Sequence, residues 1–158
     1  MHYRSGFRPG LFDQQTIFIP GGGGGLGRCI AHELSSLGAQ VILAGRSIDK
    51  LEKVRNEITE DGGRVAGIYT AELRDEKTVI ALIQRILDSH GRVHGLVNAA
   101  GGQFPAKLKD LSLKGWNAVI ENNLTSYFLM TRYCVPEMKK RGGGSIINTA
   151  SVQGLQSM

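Results

Sequence analysis

A run of glycines near the N-terminus has the composition of a phosphate-binding turn. Residues 19–27 read Ile-Pro-Gly-Gly-Gly-Gly-Gly-Leu-Gly. Backbone without Cβ atoms can turn sharply from strand to helix, and it lets a pyrophosphate approach the N–H groups and the positive dipole end of the helix. Two registers of this fingerprint fit: Gly22, Gly24 and Gly27 as G-x-G-x-x-G, or Gly21, Gly25 and Gly27 as G-x-x-x-G-x-G. The expected ligand is a dinucleotide.

The residues after the second predicted strand indicate which dinucleotide. About 20 residues past such glycines, an Asp or Glu usually binds the free ribose hydroxyls, whereas this chain has Ala44-Gly45-Arg46-Ser47. The Arg46 guanidinium can pair with a 2′-phosphate through charge-assisted hydrogen bonds, and the Ser47 hydroxyl can add a donor. We therefore predict that NADP(H) is preferred over NAD(H). The alternative is that Arg46 only faces solvent.

Strand and helix patterns alternate around these motifs. Apolar runs predict five strands, at residues 16–19, 41–44, 64–69, 94–98 and 145–149. Apolar residues at helical spacing predict the first three helices: Leu26, Ile30, Leu34 and Leu37; Leu51, Val54 and Ile58 behind a Ser47 cap; and Val79, Leu82, Ile83, Ile86 and Leu87. Mostly apolar strands favour a parallel sheet covered on both faces. We predict a doubly wound α/β Rossmann fold with strand order 3-2-1-4-5, formed by residues 15–158 after an N-terminal arm at residues 1–14.

A fourth, long helix is predicted before the last strand. Its expected apolar stripe consists of Trp116, Val119, Ile120, Leu124, Tyr127 and Phe128. The glycines at residues 142–144 end the helix. Pro136 lies inside the pattern, and a proline there predicts a bend near Val135.

Composition and charge exclude several classes of protein. The chain has 158 residues, a formal net charge of +5 and 41% hydrophobic residues. Its apolar stretches are shorter than the ~20 residues of a membrane span, and its first residues lack a signal-peptide pattern, so we expect a cytoplasmic protein without a membrane partner. Because aromatic residues do not interleave with the basic clusters, such as residues 139–141, nucleic acid is not an expected partner. Cys29 and Cys134 are expected to be reduced, buried packing residues.

Four motifs, the glycine run and three that follow it, resemble in order and spacing those of the short-chain dehydrogenase/reductases over essentially the whole chain. They are Pro20-Gly21-(x)3-Gly25-Leu26-Gly27, Asn98-Ala99-Ala100-Gly101, Asn123-Leu124 and Asn148-Thr149-Ala150-Ser151. The resemblance selects the register of Gly21, Gly25 and Gly27. Residues 101–104 and 114–116 are similar to the branch of peroxisomal trans-2-enoyl-CoA reductases and citronellol-type dehydrogenases.

The resemblance implies roles for individual residues. Those implied at the cofactor are Gly21, Gly25, Leu26 and Gly27 at the pyrophosphate, Glu72 and Leu73 beside the adenine, and Asn98, Ala99, Ala100 and Gly101 behind the cofactor. Ser151 would be catalytic, its hydroxyl bonding the substrate oxygen, and Asn123 would hold a water in a proton relay. The chain departs from the family pattern at Pro20, where threonine is usual, and at Glu72, where aspartate is usual.

The family's Tyr-x-x-x-Lys motif is expected shortly beyond Ser151, and the sequence ends at Met158 without it. We therefore expect these residues to be the first part of a longer reductase, with no turnover by the 158-residue chain itself. The implied activity is NADP(H)-dependent hydride transfer between an alcohol and a carbonyl. The alternatives are an enoyl-CoA reductase acting on an acyl-CoA and a non-catalytic NADP-binding module. The implied assembly is a homo-oligomer formed through the long helix.

Overall fold

The computed structural model describes residues 5–151, in which strands and helices alternate. Five strands form one sheet: β1 (Thr16–Pro20), β2 (Gln40–Gly45), β3 (Arg64–Thr70), β4 (Gly95–Asn98) and β5 (Ser145–Asn148). Five α-helices accompany them: α1 (Gly25–Ser36), α2 (Ile48–Glu60), α3 (Glu76–His90), α4 (Leu113–Ile120) and α5 (Ser126–Lys140). All strand pairs are parallel and their order is β3-β2-β1-β4-β5. The predicted Rossmann fold and strand order are confirmed.

The core consists of two hydrophobic clusters, one on each face of the sheet. Successive side chains of a strand point to opposite faces, and Phe18 of β1 therefore belongs to one cluster whereas Ile19 belongs to the other. The Phe18 cluster includes residues of α3 and α5, and the Ile19 cluster includes residues of α1 and α2. Strand β1 is buried along its whole length, so the carboxyl ends of β1 and its neighbours are held rigidly.

Helix α1 buries a different set of residues from its predicted leucine stripe. The residues that it buries are Gly27, Ala31, His32 and Ser35. The predicted contact residue Leu26 is 58% exposed. The rest of the predicted stripe is buried or half-buried. Gly38 ends the helical segment with a φ of +96°, as predicted.

The predicted long helix is divided into two. A π turn at Glu121–Thr125 separates α4 from α5. A π turn adds a residue to the helical repeat, which rotates the following face by about 100°, so one apolar stripe cannot run through both helices. The predicted stripe residues Trp116, Leu124 and Phe128 are all more than half exposed. The irregularity lies at the π turn, and α5 continues through Pro136 to its end.

The two cysteines differ in burial. Cys134 is buried, as predicted, but Cys29 is exposed because α1 turns that face to solvent. The predicted arm contacts the domain: the N–H of Phe12 donates to the carbonyl of Leu37 at 2.9 Å. Within the part of the chain that the structure describes, there is no helix with the length and apolarity that a membrane span requires.

Candidate coenzyme site

A cavity of about 270 Å³ lies at the carboxyl ends of the central strands. Its walls come from the glycine turn after β1, the ends of β2, β3 and β4, and the region of the π turn. The strand order reverses between β1 and β4, and this switch point is where doubly wound sheets bind ligands.

The glycines of the fingerprint differ in the space that the structure leaves for a Cβ atom. Gly21 has a φ of +85°, and a Cβ on it would lie 2.4 Å from the backbone nitrogen of Ala100. A Cβ on Gly27 would lie 2.2 Å from the carbonyl oxygen of Gly21, whereas a Cβ on Gly25 would meet no atom within 4 Å. The order is therefore a tight turn, an open position and a close helix contact. Gly27 belongs to both registers, and a Cβ on Gly22, the first glycine of the alternative, would also be crowded, with its nearest atom at 2.8 Å. The positive φ of Gly21 and the open position of Gly25 fit the register that the resemblance selects.

The end of β2 brings a cation and a hydroxyl to the cavity. Arg46 and Ser47 both line it, and the Arg46 side chain is exposed. Ser47 is the N-cap of α2, and its hydroxyl oxygen accepts the N–H of Lys50 at 3.4 Å. That bond uses the oxygen as an acceptor, so the hydroxyl proton can still be donated to an anion. Lys50 lines the same wall and adds a second cation.

The end of β3 contributes the opposite wall. Glu72, Leu73 and Arg74 line the cavity, and Leu73 is only 6% exposed. An apolar side chain held in this position can pack against a flat ring. A carboxylate and a guanidinium lie beside it.

Asn98 lies behind the cavity rather than in it. Its side chain has no exposed surface, and its amide donates to the side-chain oxygen of Asn148 at 2.8 Å and to the hydroxyl of Thr131 at 3.3 Å. Asn98 therefore ties β4 to β5 and α5. The next residues, Ala99 to Gly101, line the cavity itself.

Asn123 holds the loop after β4 against the π turn. Its side-chain oxygen accepts the N–H of Gly102 at 3.2 Å, and its amide donates to the carbonyls of Gly102 at 2.7 Å and Val119 at 2.8 Å. A Cβ on Gly101 would lie 2.7 Å from the Asn123 oxygen. A side chain at residue 101 would therefore displace the Asn123 amide from its bonds to the loop.

The last described residue, Ser151, is exposed and lies shortly after β5. Two residues earlier, the hydroxyl of Thr149 lies 2.6 Å from the hydroxyl of Tyr127 and donates to the Asn98 carbonyl at 3.0 Å. Tyr133 donates its hydroxyl to Glu76. Both tyrosines of α5 are therefore engaged by other residues, and Tyr127 helps to position the strand end that leads to Ser151.

Comparison with known proteins identifies the family. The sequence profile described as short chain dehydrogenase matches residues 15–158. The chain belongs to the short-chain dehydrogenase/reductase family. Its members are oxidoreductases, and the family binds NAD(P)(H).

Relatives of this dehydrogenase family include enzymes of more than one reaction. The chain is 34% identical to the cyclohexanol dehydrogenase of Acinetobacter sp. (strain SE19), covering 91% of this chain and 57% of that protein. It is 30% identical to the peroxisomal 2,4-dienoyl-CoA reductase of Danio rerio, covering 94% of this chain and 49% of that protein. The chain thus spans about half of the length of these relatives.

Solved structures of the family share the fold. The citronellol catabolism dehydrogenase AtuB of Pseudomonas aeruginosa PAO1 is 47% identical with a TM-score of 0.89, covering 96% of this chain and 62% of that chain. This match confirms the resemblance to citronellol-type dehydrogenases. Two other solved structures contain different coenzymes. An actinorhodin polyketide ketoreductase with NADPH is 29% identical with a TM-score of 0.86, covering 91% of this chain and 56% of that chain. An NAD⁺-bound xylitol dehydrogenase is 26% identical with a TM-score of 0.89, covering 94% of this chain and 57% of that chain.

The cavity brings together many of the residues predicted for coenzyme binding. Those that line it are Gly21, Arg46, Ser47, Glu72, Leu73, Ala99, Ala100 and Gly101. Those outside its lining are Gly25, Leu26, Gly27, Asn98, Asn123 and Ser151. Gly24, which belongs to the alternative register, also lines it, and the lining residues that were not predicted are Gly23, Gly45, Lys50, Leu51, Arg74, Asn122 and Ser126. Lys50 and Arg74 could have been found as basic residues just after the predicted ones, but Asn122 and Ser126 reach the cavity through the π turn, which the sequence did not indicate.

Proposed function

We propose that the chain forms the coenzyme-binding part of an NADP(H)-dependent oxidoreductase that interconverts an alcohol and a carbonyl group by hydride transfer. The observation that carries the proposal is the pairing of a sterically defined glycine turn with Arg46 and Ser47 in one cavity. The turn would hold the pyrophosphate against α1, with Gly25 and Leu26 at the helix start and Gly27 closing the contact. Arg46 and Ser47 would hold the 2′-phosphate.

The remaining predicted cofactor residues fit this orientation. Glu72 and Leu73 would lie at the adenine, and Ala99, Ala100 and Gly101 would form the floor beneath the rest of the dinucleotide. Asn98 would support that floor from behind through its bonds to β5 and α5. The coenzyme would supply the hydride, and these residues would bind and orient it.

Ser151 and Asn123 are the proposed catalytic residues. Hydride addition to a carbonyl places negative charge on the oxygen, which a hydroxyl donor at Ser151 would stabilise. Both amide protons of Asn123 are donated to backbone carbonyls. A relay water at Asn123 would therefore donate a hydrogen bond, either to the side-chain oxygen or to the main-chain carbonyl.

The coenzyme preference is tested by removing the cation at residue 46. In Arg46→Ala, we expect NADPH to bind about ten times more weakly while the affinity for NADH is nearly unchanged, because a charged hydrogen bond contributes ~1.5–3 kcal/mol. Arg55→Ala is the matched control, since Arg55 lies on α2 and pairs with Glu52 at 3.5 Å, away from the cavity. Equal losses for both coenzymes in Arg46→Ala would contradict the proposed phosphate contact.

A second candidate reaction is enoyl-CoA reduction, which the identity to the Danio rerio reductase favours. The reaction is tested in a protein in which residues 1–151 are continued by a Tyr-x-x-x-Lys segment. Ketone reduction that is lost in Ser151→Ala would support the alcohol and carbonyl reaction. Reduction of an enoyl-CoA that survives Ser151→Ala would support the alternative. Coenzyme binding without either reaction would indicate a non-catalytic NADP-binding module.

We also propose that the protein is a homo-oligomer that uses the outer face of α4 and α5. Trp116 on α4, Leu124 in the π turn and Phe128 on α5 are 53%, 62% and 55% exposed, and large exposed apolar side chains of this kind are typical of an interface. Sedimentation of the wild type and of Phe128→Glu tests this proposal. A wild-type monomer at high concentration would contradict it.

A further inference from the structure

Glu72 and Arg74 form an ion pair, here called the clamp, on the cavity wall that follows β3. The Nε of Arg74 donates to one carboxylate oxygen of Glu72 at 2.8 Å, and its Nη2 donates to the other at 2.7 Å. The backbone N–H of Arg74 also donates to Glu72 at 3.2 Å. A guanidinium that bonds both oxygens of a carboxylate fixes its orientation as well as its charge.

Arg46 and Glu72 follow the paired strand residues Gly45 and Thr70, and both line the same cavity. The pKa of Glu72 is below its ordinary value, chiefly because Arg74 donates hydrogen bonds to it, and the charge of Arg46 contributes in the same direction. Glu72 is therefore ionised at neutral pH. An ionised carboxylate near Arg46 competes with a phosphate for that guanidinium, and it repels the phosphate directly.

Arg74 has a further contact that holds it at the wall. Its Nη1 lies 3.5 Å from a carboxylate oxygen of Glu121, at the start of the π turn. The guanidinium is thus placed between the end of β3 and the π turn, with 30% of the side chain exposed. Its contacts with Glu72 and Glu121 together fix its position at the wall.

We propose that Arg74 determines coenzyme specificity: by binding both oxygens of Glu72, it neutralises that carboxylate and leaves Arg46 available to the 2′-phosphate of NADP(H). The inference rests on the proposed function, because it concerns the same coenzyme cavity. Arg74 acts through Glu72 and is therefore a positioning residue. With its charge neutralised by Arg74, the Glu72 carboxylate can lie on the cavity wall without repelling the 2′-phosphate.

A double-mutant cycle on Glu72 and Arg74 tests this proposal, with affinities for NADPH and NADH measured by titration of the 158-residue chain. In Arg74→Gln, we expect the preference for NADPH over NADH to fall about fivefold, since the exposed carboxylate is left without its partner. Glu72→Gln should keep or increase the preference. The double variant should return to the wild-type preference. Arg85→Gln is the matched control. Arg85 belongs to α3, where its guanidinium lies over the ring of Tyr69, and it does not line the cavity.

The outcomes separate a specificity role from a purely structural one. Equal losses for both coenzymes in Arg74→Gln would overturn the proposal, and so would a double variant with the same low preference as Arg74→Gln, which would place Arg74 itself on the phosphate. If Arg74→Gln does not fold, Arg74→Lys keeps the charge without the double hydrogen bond and should lower the preference by a smaller factor. An unchanged preference in Arg74→Lys would then overturn the proposal. A wild type that binds neither coenzyme, or prefers NADH, would instead contradict the proposed function.

Discussion

Substituting alanine at Gly27 and at Gly25 separates the two requirements of the glycine turn. A Cβ on Gly27 would lie 2.2 Å from the Gly21 carbonyl oxygen and 2.8 Å from its carbon, whereas ordinary contacts begin at 3.4 Å. Helix α1 would have to move away from the turn by about 1 Å, and overpacking of this kind costs ~1–3 kcal/mol. For a domain of this size, we expect Gly27→Ala to lower the melting temperature by roughly 3–10 °C.

Gly25→Ala is the matched control for stability. Its Cβ would meet no protein atom within 4 Å, and alanine is favoured over glycine in a helix by up to ~1 kcal/mol. The melting temperature should therefore stay the same or rise. The added methyl would nevertheless occupy the side from which the pyrophosphate approaches, so NADPH binding should fall at least about tenfold.

Thermal denaturation and NADPH titration of the two variants form the assay. Gly27→Ala should lose both stability and binding, and Gly25→Ala should lose binding alone. A Gly25→Ala variant that binds NADPH as tightly as the wild type would refute the assigned register. A Gly27→Ala variant with unchanged stability would refute the steric argument.

Two further predictions concern acid stability and thiol reactivity. The Nδ1 of His94 accepts the N–H of Thr16 at 2.9 Å, and the pKa of His94 lies below its ordinary value of 6.5, first because of burial and then because of the nearby charge of Arg92. The contribution of neutral His94 to stability is therefore complete above pH 6.5 and is lost as the pH falls through the lowered pKa. The free energy of unfolding in urea should depend less on acid pH in His94→Asn than in the wild type, and equal dependences would contradict this role. Burial raises the pKa of Cys134 to about 12, whereas Cys29 is exposed. A thiol reagent should therefore modify Cys29 in the native protein and Cys134 only after unfolding. Labelling of Cys134 in the native Cys29→Ser variant would show that α5 does not bury it.

The regular part of the fold could be predicted because its determinants are local. Short apolar runs bounded by turn residues predicted all five strands, and the cap at Ser47 and the stop at Gly38 follow from residue types at element ends. The strands and caps depend on neighbouring residues, so the sequence shows them directly. The strand order was predicted from the fold class, since 3-2-1-4-5 is typical of dinucleotide-binding doubly wound sheets.

The parts that could not be predicted depend on contacts between distant segments. Gly27 of α1 packs against the carbonyl of Gly21 in the turn, and Leu26 is left exposed. A helical pattern alone does not indicate which side of the helix is buried. The π turn divided the long helix and brought Asn122 to the cavity without a composition signal. The sequence shows Arg74 as a basic neighbour of Glu72, but its double hydrogen bond to that carboxylate is visible only in three dimensions.

The coenzyme assignment is decided by calorimetric titration of the 158-residue chain with NADPH and, separately, with NADH. We expect one binding site per chain, with NADPH bound more tightly than NADH because Arg46 and Ser47 receive the 2′-phosphate. Heats that show no binding of either coenzyme would contradict the assignment of the cavity. Tighter binding of NADH would contradict the role assigned to Arg46.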